Sequence, residues 1–249
     1  SAMASLLKVT PEVKMAVDSF RERITGEAEE LVAHFFPKKF LELDAFLQDP
    51  TLNFRDLSQI HSDVSYPVPI LLGPNSPAGP SLKKRKLEGN LQGTRVLVVP
   101  QGMPKSNQKL VDILEKVKPE IRLLMEKCNV VKLWVQLSIP KIEGGNSFGV
   151  SVQEDTVAEL QTVESEAALH LDEIARYYTA RAKLVSKIAK YPHVEDYRRT
   201  VTEMDEKGYI CLRLLILELR NQYVLLHDMI LKNIEKIKQP QSSEVEALY

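Results

Sequence analysis

Cysteine is scarce in this chain, with two residues, Cys128 and Cys211, in 249. Two thiols cannot staple a domain of this size, so a disulfide-built scaffold is excluded. Each lies inside an apolar helical pattern, which predicts buried free thiols in a reducing compartment. Long apolar runs are missing too. No stretch approaches the about 18 residues needed to cross a bilayer, and no charged-then-apolar leader precedes a cleavage site. A soluble intracellular protein is therefore expected, with no membrane partner. Neither sign of charge is in excess, since 33 basic residues stand against 34 acidic ones for a net of -1. Such a balance gives no global attraction to nucleic acid, and any basic function has to be local. Ser1 and Ala2 before Met3 read as a cloning scar and are set aside.

Signatures of catalysis are equally thin. The five histidines, His34, His61, His170, His193 and His227, form no close ligand pair, and Cys-x-x-Cys does not occur, so no metal site is expected. Phosphate-binding and dinucleotide glycine loops are absent. One match stands out: Gly145-x-Ser147-x-Gly149 fits the nucleophile elbow of serine hydrolases. That elbow needs a strand before it, a helix after it and an α/β sheet to bring an acid and a histidine. Here Ser147 lies between two helical segments with no alternating strands and helices, so no catalytic residue and no cofactor is expected.

What the chain does contain is helical periodicity. Thr10-Pro11-Glu12 is a helix start, with a hydroxyl at the N-cap, proline at the first position and an acid in the first turn. Val13, Val17, Phe20, Ile24, Leu31 and Phe35 recur on one helical face. Pro37 is expected to kink or break this helix, which resumes from Lys38 to Leu47, and a short piece is expected around Phe54 to Ile60. From Ser65 to Pro104 the texture changes, for half of the 14 prolines and half of the 10 glycines lie there. This stretch is predicted to be a flexible linker in which Arg95 to Val99 is extended and unpaired. It carries Lys83-Lys84-Arg85-Lys86, which is a solvated charge run, a nucleic-acid patch or, being basic and on a tether, a nuclear import signal. Import is the reading adopted, which places the protein in the nucleus with some in the cytoplasm.

A second helix is predicted over Ser106 to Ile139, with Leu110, Ile113, Leu114, Val117, Ile121, Leu124, Cys128, Val131 and Val135 on one side, Trp134 in the core and Pro119 bending the middle. Pro140 stops it. The glycine-bearing stretch Glu143-Gly144-Gly145-Asn146-Ser147-Phe148-Gly149-Val150 comes next. Ser151-x-x-Glu154 is a capping-box start for a third helix running to Lys190. Tyr191-Pro192-His193 is a tight break, and a fourth helix is predicted from about Pro192 to Lys238. In it Tyr209, Leu212, Ile216, Leu219, Tyr223, Leu226, Ile230 and Ile237 form a seam interrupted only at Asn233. Leu215, Leu217, Val224 and Ile234 add apolar surface beyond that seam, which suggests burial against something other than the chain's own helices.

These elements predict an all-α fold, an antiparallel four-helix bundle of long kinked helices built from residues 3–64 and 105–249 with the linker 65–104 between. Tracing the chain up and down puts the Glu143 to Val150 loop and the tail Ala247-Leu248-Tyr249 at one end and the linker at the other. Arg176, Lys183, Lys187 and Lys190 share one face of the third helix. That face is either an ordinary solvated surface or, if bundles form a ring, a channel lining that attracts acidic segments of a passing chain.

Several blocks closely resemble one family. Ser19-Phe20-Arg21-Glu22-Arg23-Ile24, Phe35-Phe36-Pro37-Lys38-Lys39, Gly145-Asn146-Ser147-Phe148-Gly149-Val150 and the run from Lys187 to Arg198 are similar to the REG (PA28) family of ATP-independent proteasome activators, and to its gamma branch in particular. The resemblance implies a homoheptameric ring of four-helix bundles that caps the proteasome core particle and passes substrate peptides and unfolded proteins through its channel. It implies further that the tail ending at Tyr249 docks between subunits of the core's alpha-subunit ring, and that the loop around Asn146 opens the gate without ATP or ubiquitin. One departure is visible. Where the family pattern has Glu-Asp-Gly-Asn-Asn-Phe-Gly, this chain has Glu143-Gly144-Gly145-Asn146-Ser147-Phe148-Gly149, losing an acid and an amide. The other reading of the same helices is a nuclear scaffold without a proteasome role.

Overall fold

A computed structural model describes residues 7–62, 70–71, 97–98, 104–141 and 150–239. The described chain is helical almost throughout. Helix α1 spans Pro11–Glu30 and starts as the sequence predicts, with the Thr10 hydroxyl accepting the Val13 N–H at 3.3 Å and Pro11 in the first turn. Pro37 does not end the helical run. The chain passes through a wider π-helical stretch, Leu31–Phe35, and continues as α2, Phe36–Phe46.

The register explains how the proline is tolerated. In the wider turn the Phe36 N–H reaches back to Leu31 O, so the next residue would have to serve Val32 O, and Pro37 has no N–H to give. His227 supplies the missing donor, its Nδ1 lying 2.5 Å from Val32 O. A carbonyl only accepts, so Nδ1 carries the proton. Replacing His227 with Phe should orphan a buried carbonyl and cost about 1–3 kcal/mol. Urea unfolding at fixed protomer concentration measures this, and an unchanged midpoint would refute it.

Short 3-10 turns come next at Pro50–Leu52 and Leu57–Ile60. Their N-cap carboxylates, Asp49 and Asp56, accept the N–H groups of Thr51 and Ser58 at 2.9 Å, which holds both acids below the usual carboxylate range. Within the stretch predicted as linker, β1 (Ile70–Leu71) pairs antiparallel with β2 (Leu97–Val98), Ile70 opposite Val98. This corrects the expectation that Arg95 to Val99 is unpaired. The two strands are far apart in sequence, and a local reading of either cannot find the other.

Helix α3 runs Gln108–Ser138 without interruption at Pro119, and α4 runs Ser151–Lys190. Helix α5 begins at Glu195 rather than Pro192, because Tyr191 to Val194 turn first, and it ends at Lys232. The predicted single fourth helix is therefore divided, with α6 (Ile234–Lys238) as a separate segment. Asn233 divides it, its side-chain Nδ2 donating to Met229 O at 2.8 Å and taking an acceptor that the helical backbone would use.

The chain groups into two compact units. In the first, made of Ser1–Asn53, Glu115–Glu173 and Arg213–Tyr249, the helices alternate in direction as a four-helix bundle. From α1 and α2 to α5 the partners run in opposite order: Val32 meets His227, Phe36 packs on Tyr223 with ring centroids 5.5 Å apart, and Asp44 pairs with Arg220 at 2.9 Å. From α3 to α4, Lys132 bridges to Glu164 at 2.9 Å. Lys39 is buried in this unit between Glu42 and Glu120, at 2.9 and 2.8 Å. Burial alone would lower its pKa, but the hydrogen bonds to the two carboxylates outweigh it and hold the ammonium above its ordinary value.

The second unit, Phe54–Leu114 with Ile174–Leu212, brings Phe54 and Ile60 together with the start of α3, the later part of α4 and the earlier part of α5. Phe54 lies edge-on to Tyr209 at 5.4 Å, and the Phe54 N–H donates to the Tyr209 hydroxyl.

All nine residues of the predicted α3 seam are buried, as is Trp134. Two expectations about burial fail. Cys128 is buried but Cys211 is exposed. On α1 the apolar stripe is exposed at Val13, Val17 and Phe20 and buried only from Ile24 onward. On α5 the apolar residues left exposed are Ile210, Leu214, Leu225 and Leu231, whereas Leu215 belongs to the core.

Candidate functional site

The sequence analysis singles out a loop and a tail. Residues 142–149 and 240–249 lie outside the described residues, and so do Ala247, Leu248 and Tyr249. Their roots are described, and they meet on one side chain. Gln153, in the first turn of α4 and fully buried, donates from Nε2 to Ser138 O at 2.9 Å and to Ile237 O at 2.7 Å. Ser138 is the last residue of α3 before the loop, and Ile237 is the penultimate residue of α6 before the tail. The single amide thus ties the stem of the loop to the root of the tail within the first unit. Val150, the described end of the loop, is itself buried.

The predicted linker is rooted in the second unit, again on one buried polar group. Arg181 of α4 donates from Nη1 to Lys105 O at 3.3 Å and from Nη2 to the Ser62 hydroxyl at 2.9 Å, the two flanks of that stretch. Its charge is met by Asp205 of α5, at 3.0 Å from Nε. Asp205 has no exposed surface and also accepts the Tyr177 hydroxyl at 2.7 Å and Asn107 Nδ2 at 3.0 Å. Burial, and then the hydrogen bond to this carboxylate, push the Tyr177 hydroxyl far above its ordinary pKa, so it stays a donor. Asn107 closes the set by capping α3 and donating to Ile60 O at 2.7 Å. The import-type cluster Lys83 to Lys86 lies outside the described residues.

Arg176, Lys183, Lys187 and Lys190 are all on the part of α4 that belongs to the second unit, with their side chains at its surface. Lys187 lies over the Tyr197 ring at 5.7 Å, and Tyr191 stacks on the same ring. The remaining three keep their charge on the surface, as a solvated or channel-lining face requires.

Sequence reasoning missed Gln153, Arg181, Asp205 and Asn107, although a signal existed. On α4 the buried positions Gln153, Leu160, Ala167, Ile174, Arg181 and Ile188 recur every seven residues. Counting sevens from the apolar members lands on Gln153 and Arg181, and the same count lands on Asp205 from Leu212 and on Asn107 from Leu114. Among the described residues no group of three or more potential metal ligands occurs, and no helix is long and apolar enough to cross a membrane. Ser147 lies outside the described residues, and the elements flanking it are the helices α3 and α4 rather than a strand and a helix.

Comparison with known proteins agrees across the chain. A family model for the C-terminal part of proteasome activator PA28 matches residues 103–247, and a model for its N-terminal part matches residues 11–71. Proteasome activator complex subunit 3 of Gallus gallus is 73% identical over 254 residues, covering 99% of this chain and 100% of the relative. The Homo sapiens protein of the same name is 72% identical with the same coverage. Among solved structures, the 11S subunit of the Plasmodium falciparum proteasome, PA28, superposes with a TM-score of 0.73 at 32% identity, covering 96% of this chain and 99% of that one.

Proposed function

The chain belongs to the proteasome activator PA28 family, and from that premise we propose that it is a non-catalytic activator of the proteasome core particle, of the family's gamma branch. It acts without ATP or ubiquitin, as a homoheptameric ring. Docking falls to the tail Ala247-Leu248-Tyr249 and gate opening to the Glu143 to Val150 loop around Asn146. The observation that carries this reading is the Gln153 amide, which gathers the roots of both pieces in one unit. An activator that holds on with one element and pries with another needs the two on the same face. The exposed apolar residues of α1 and α5 support assembly, since Val13, Val17 and Phe20 align on one face of α1 and such an exposed apolar stripe calls for a partner. Seated in a ring, the Arg176, Lys183, Lys187 and Lys190 face would line a channel that receives acidic segments of substrate peptides. Lys83 to Lys86 would direct the protein to the nucleus. A scaffold without a proteasome role is not favoured by the family match.

Opening works by preferential contact with one state of the partner. A ligand that touches only the open gate shifts the closed and open populations toward open. Adding this protein to core particle without nucleotide should raise hydrolysis of fluorogenic peptides several-fold, and native mass measurement should find a species of seven 28.2 kDa chains. Unchanged hydrolysis, or a monomer, would overturn the reading.

A further inference from the structure

Gln153 sits in a place where chemistry and packing disagree. Its register position on α4 is occupied further along by Leu160, Ala167 and Ile174, all buried. A hydrocarbon there would fill the same layer and bring no amide oxygen into it. The glutamine is instead fully buried, with Oε1 lacking a hydrogen-bond partner among the described residues. A buried acceptor left unmet is unfavourable by about 1–3 kcal/mol, so packing alone does not account for the residue. Its Nε2 does something a hydrocarbon cannot, holding two carbonyls from different helices at 2.9 and 2.7 Å. Both carbonyls need a donor for a local reason. Ser138 O belongs to the last turn of α3 and Ile237 O to the last turn of α6, where the helix supplies no N–H.

The geometry points to Gln153 as a positioning residue that couples docking to gate opening. By spanning Ser138 and Ile237 it fixes the separation of the loop stem from the tail root, so that binding energy gained at the tail is delivered as placement of the loop. Segment α6 makes this coupling specific. It is only five residues long and the regular helix is broken between it and α5 at Asn233. It is held to the preceding chain by the Ile237 N–H to Asn233 O bond at 2.9 Å, and to the rest of the unit by the burial of Ile237, the Gln153 bond and the Lys238–Glu29 pair at 2.8 Å, whose side chains are about half exposed. Surface pairs of that kind contribute little, whereas the buried Gln153 amide joins the segment directly to the stem of the loop. The inference rests on the proposed activator function and adds a residue to it.

The test separates docking from opening. Gln153→Met keeps the length and volume of the side chain and removes both hydrogen bonds. The variant ring should bind core particle with a half-maximal concentration within about threefold of the wild type. Its maximal stimulation of peptide hydrolysis should fall roughly tenfold or more, the scale expected for two hydrogen bonds of about 1 kcal/mol each. Full stimulation at saturation would overturn the inference while leaving the activator function standing. A wild-type ring that neither binds nor stimulates would remove the function and the inference together. Should Gln153→Met fail to assemble, hydrogen exchange on the wild-type ring decides. Adding core particle should slow exchange in residues 150–156 and 234–239 together, and slowing confined to 234–239 would refute the coupling.

Discussion

Alanine at Asp205 should cost about 3–5 kcal/mol of stability, the scale observed when one partner of a buried ion pair is removed. Asp205 is fully buried and answers three donors, Arg181, Tyr177 and Asn107, at 3.0, 2.7 and 3.0 Å. Truncation leaves the Arg181 guanidinium buried without its counter-ion, takes the acceptor from the Tyr177 hydroxyl and leaves Asn107 Nδ2 with Ile60 O alone. Urea unfolding at fixed protomer concentration, which matters for an assembling protein, should show the drop. The double variant Asp205→Leu with Arg181→Met should recover much of it, since an apolar pair of similar volume carries no unmet charge. An Asp205→Ala protein as stable as the wild type would show that this cluster does not hold the second unit together.

The second large effect concerns Asn146. A bulky substitution there, Asn146→Tyr, should abolish stimulation of peptide hydrolysis while the ring still sediments with core particle. Removal of Ala247 to Tyr249 should do the reverse and abolish binding itself. The energetics make the first outcome sharp. Moving a gate from 1:99 to 99:1 open takes about 5.5 kcal/mol of preferential contact. Shared among the seven loops of the proposed ring, that is roughly 0.8 kcal/mol from each, the size of one ordinary hydrogen bond. A loop that has lost an acid and an amide relative to the family pattern, as Gly144 and Ser147 imply, can still meet so small a requirement. One misplaced ring at Asn146, repeated around the assembly, cannot. Equal stimulation by Asn146→Tyr would remove the loop from the mechanism, and a truncated ring that still sediments with core particle would remove the tail.

The helices are legible in the sequence because their apolar residues repeat. The α3 seam from Leu110 to Val135 is buried as its spacing predicts, and the Thr10 cap and the continuous run through Pro119 arise from local chemistry. The polar residues that matter are hidden by their polarity. A reading that seeks apolar stripes passes over Gln153, Arg181, Asp205 and Asn107, although each stands at a sevenfold position of a buried face. Two breaks are hidden for other reasons. Pro37 is absorbed because a histidine far away in sequence, His227, supplies its missing bond. At Asn233, whether the amide turns inward to Met229 O or outward to water is not decided by its neighbours in sequence. The stripe on α1 is apolar as its spacing indicates, yet its first half faces away from this chain's own core. Periodicity identifies a face that has to be covered but does not say by which chain.

The contrast between the two thiols has a practical side. Burial pushes the Cys128 thiol up to about 12, so near neutral pH it holds almost no thiolate, whereas Cys211 lies exposed on α5. Maleimide chemistry on the separated protomer therefore has one addressable atom without any mutagenesis, and that atom lies between Ile210 and Leu214, on the face proposed to be covered on assembly. The rate at which Cys211 is labelled should then fall as subunits associate, a ready report of assembly.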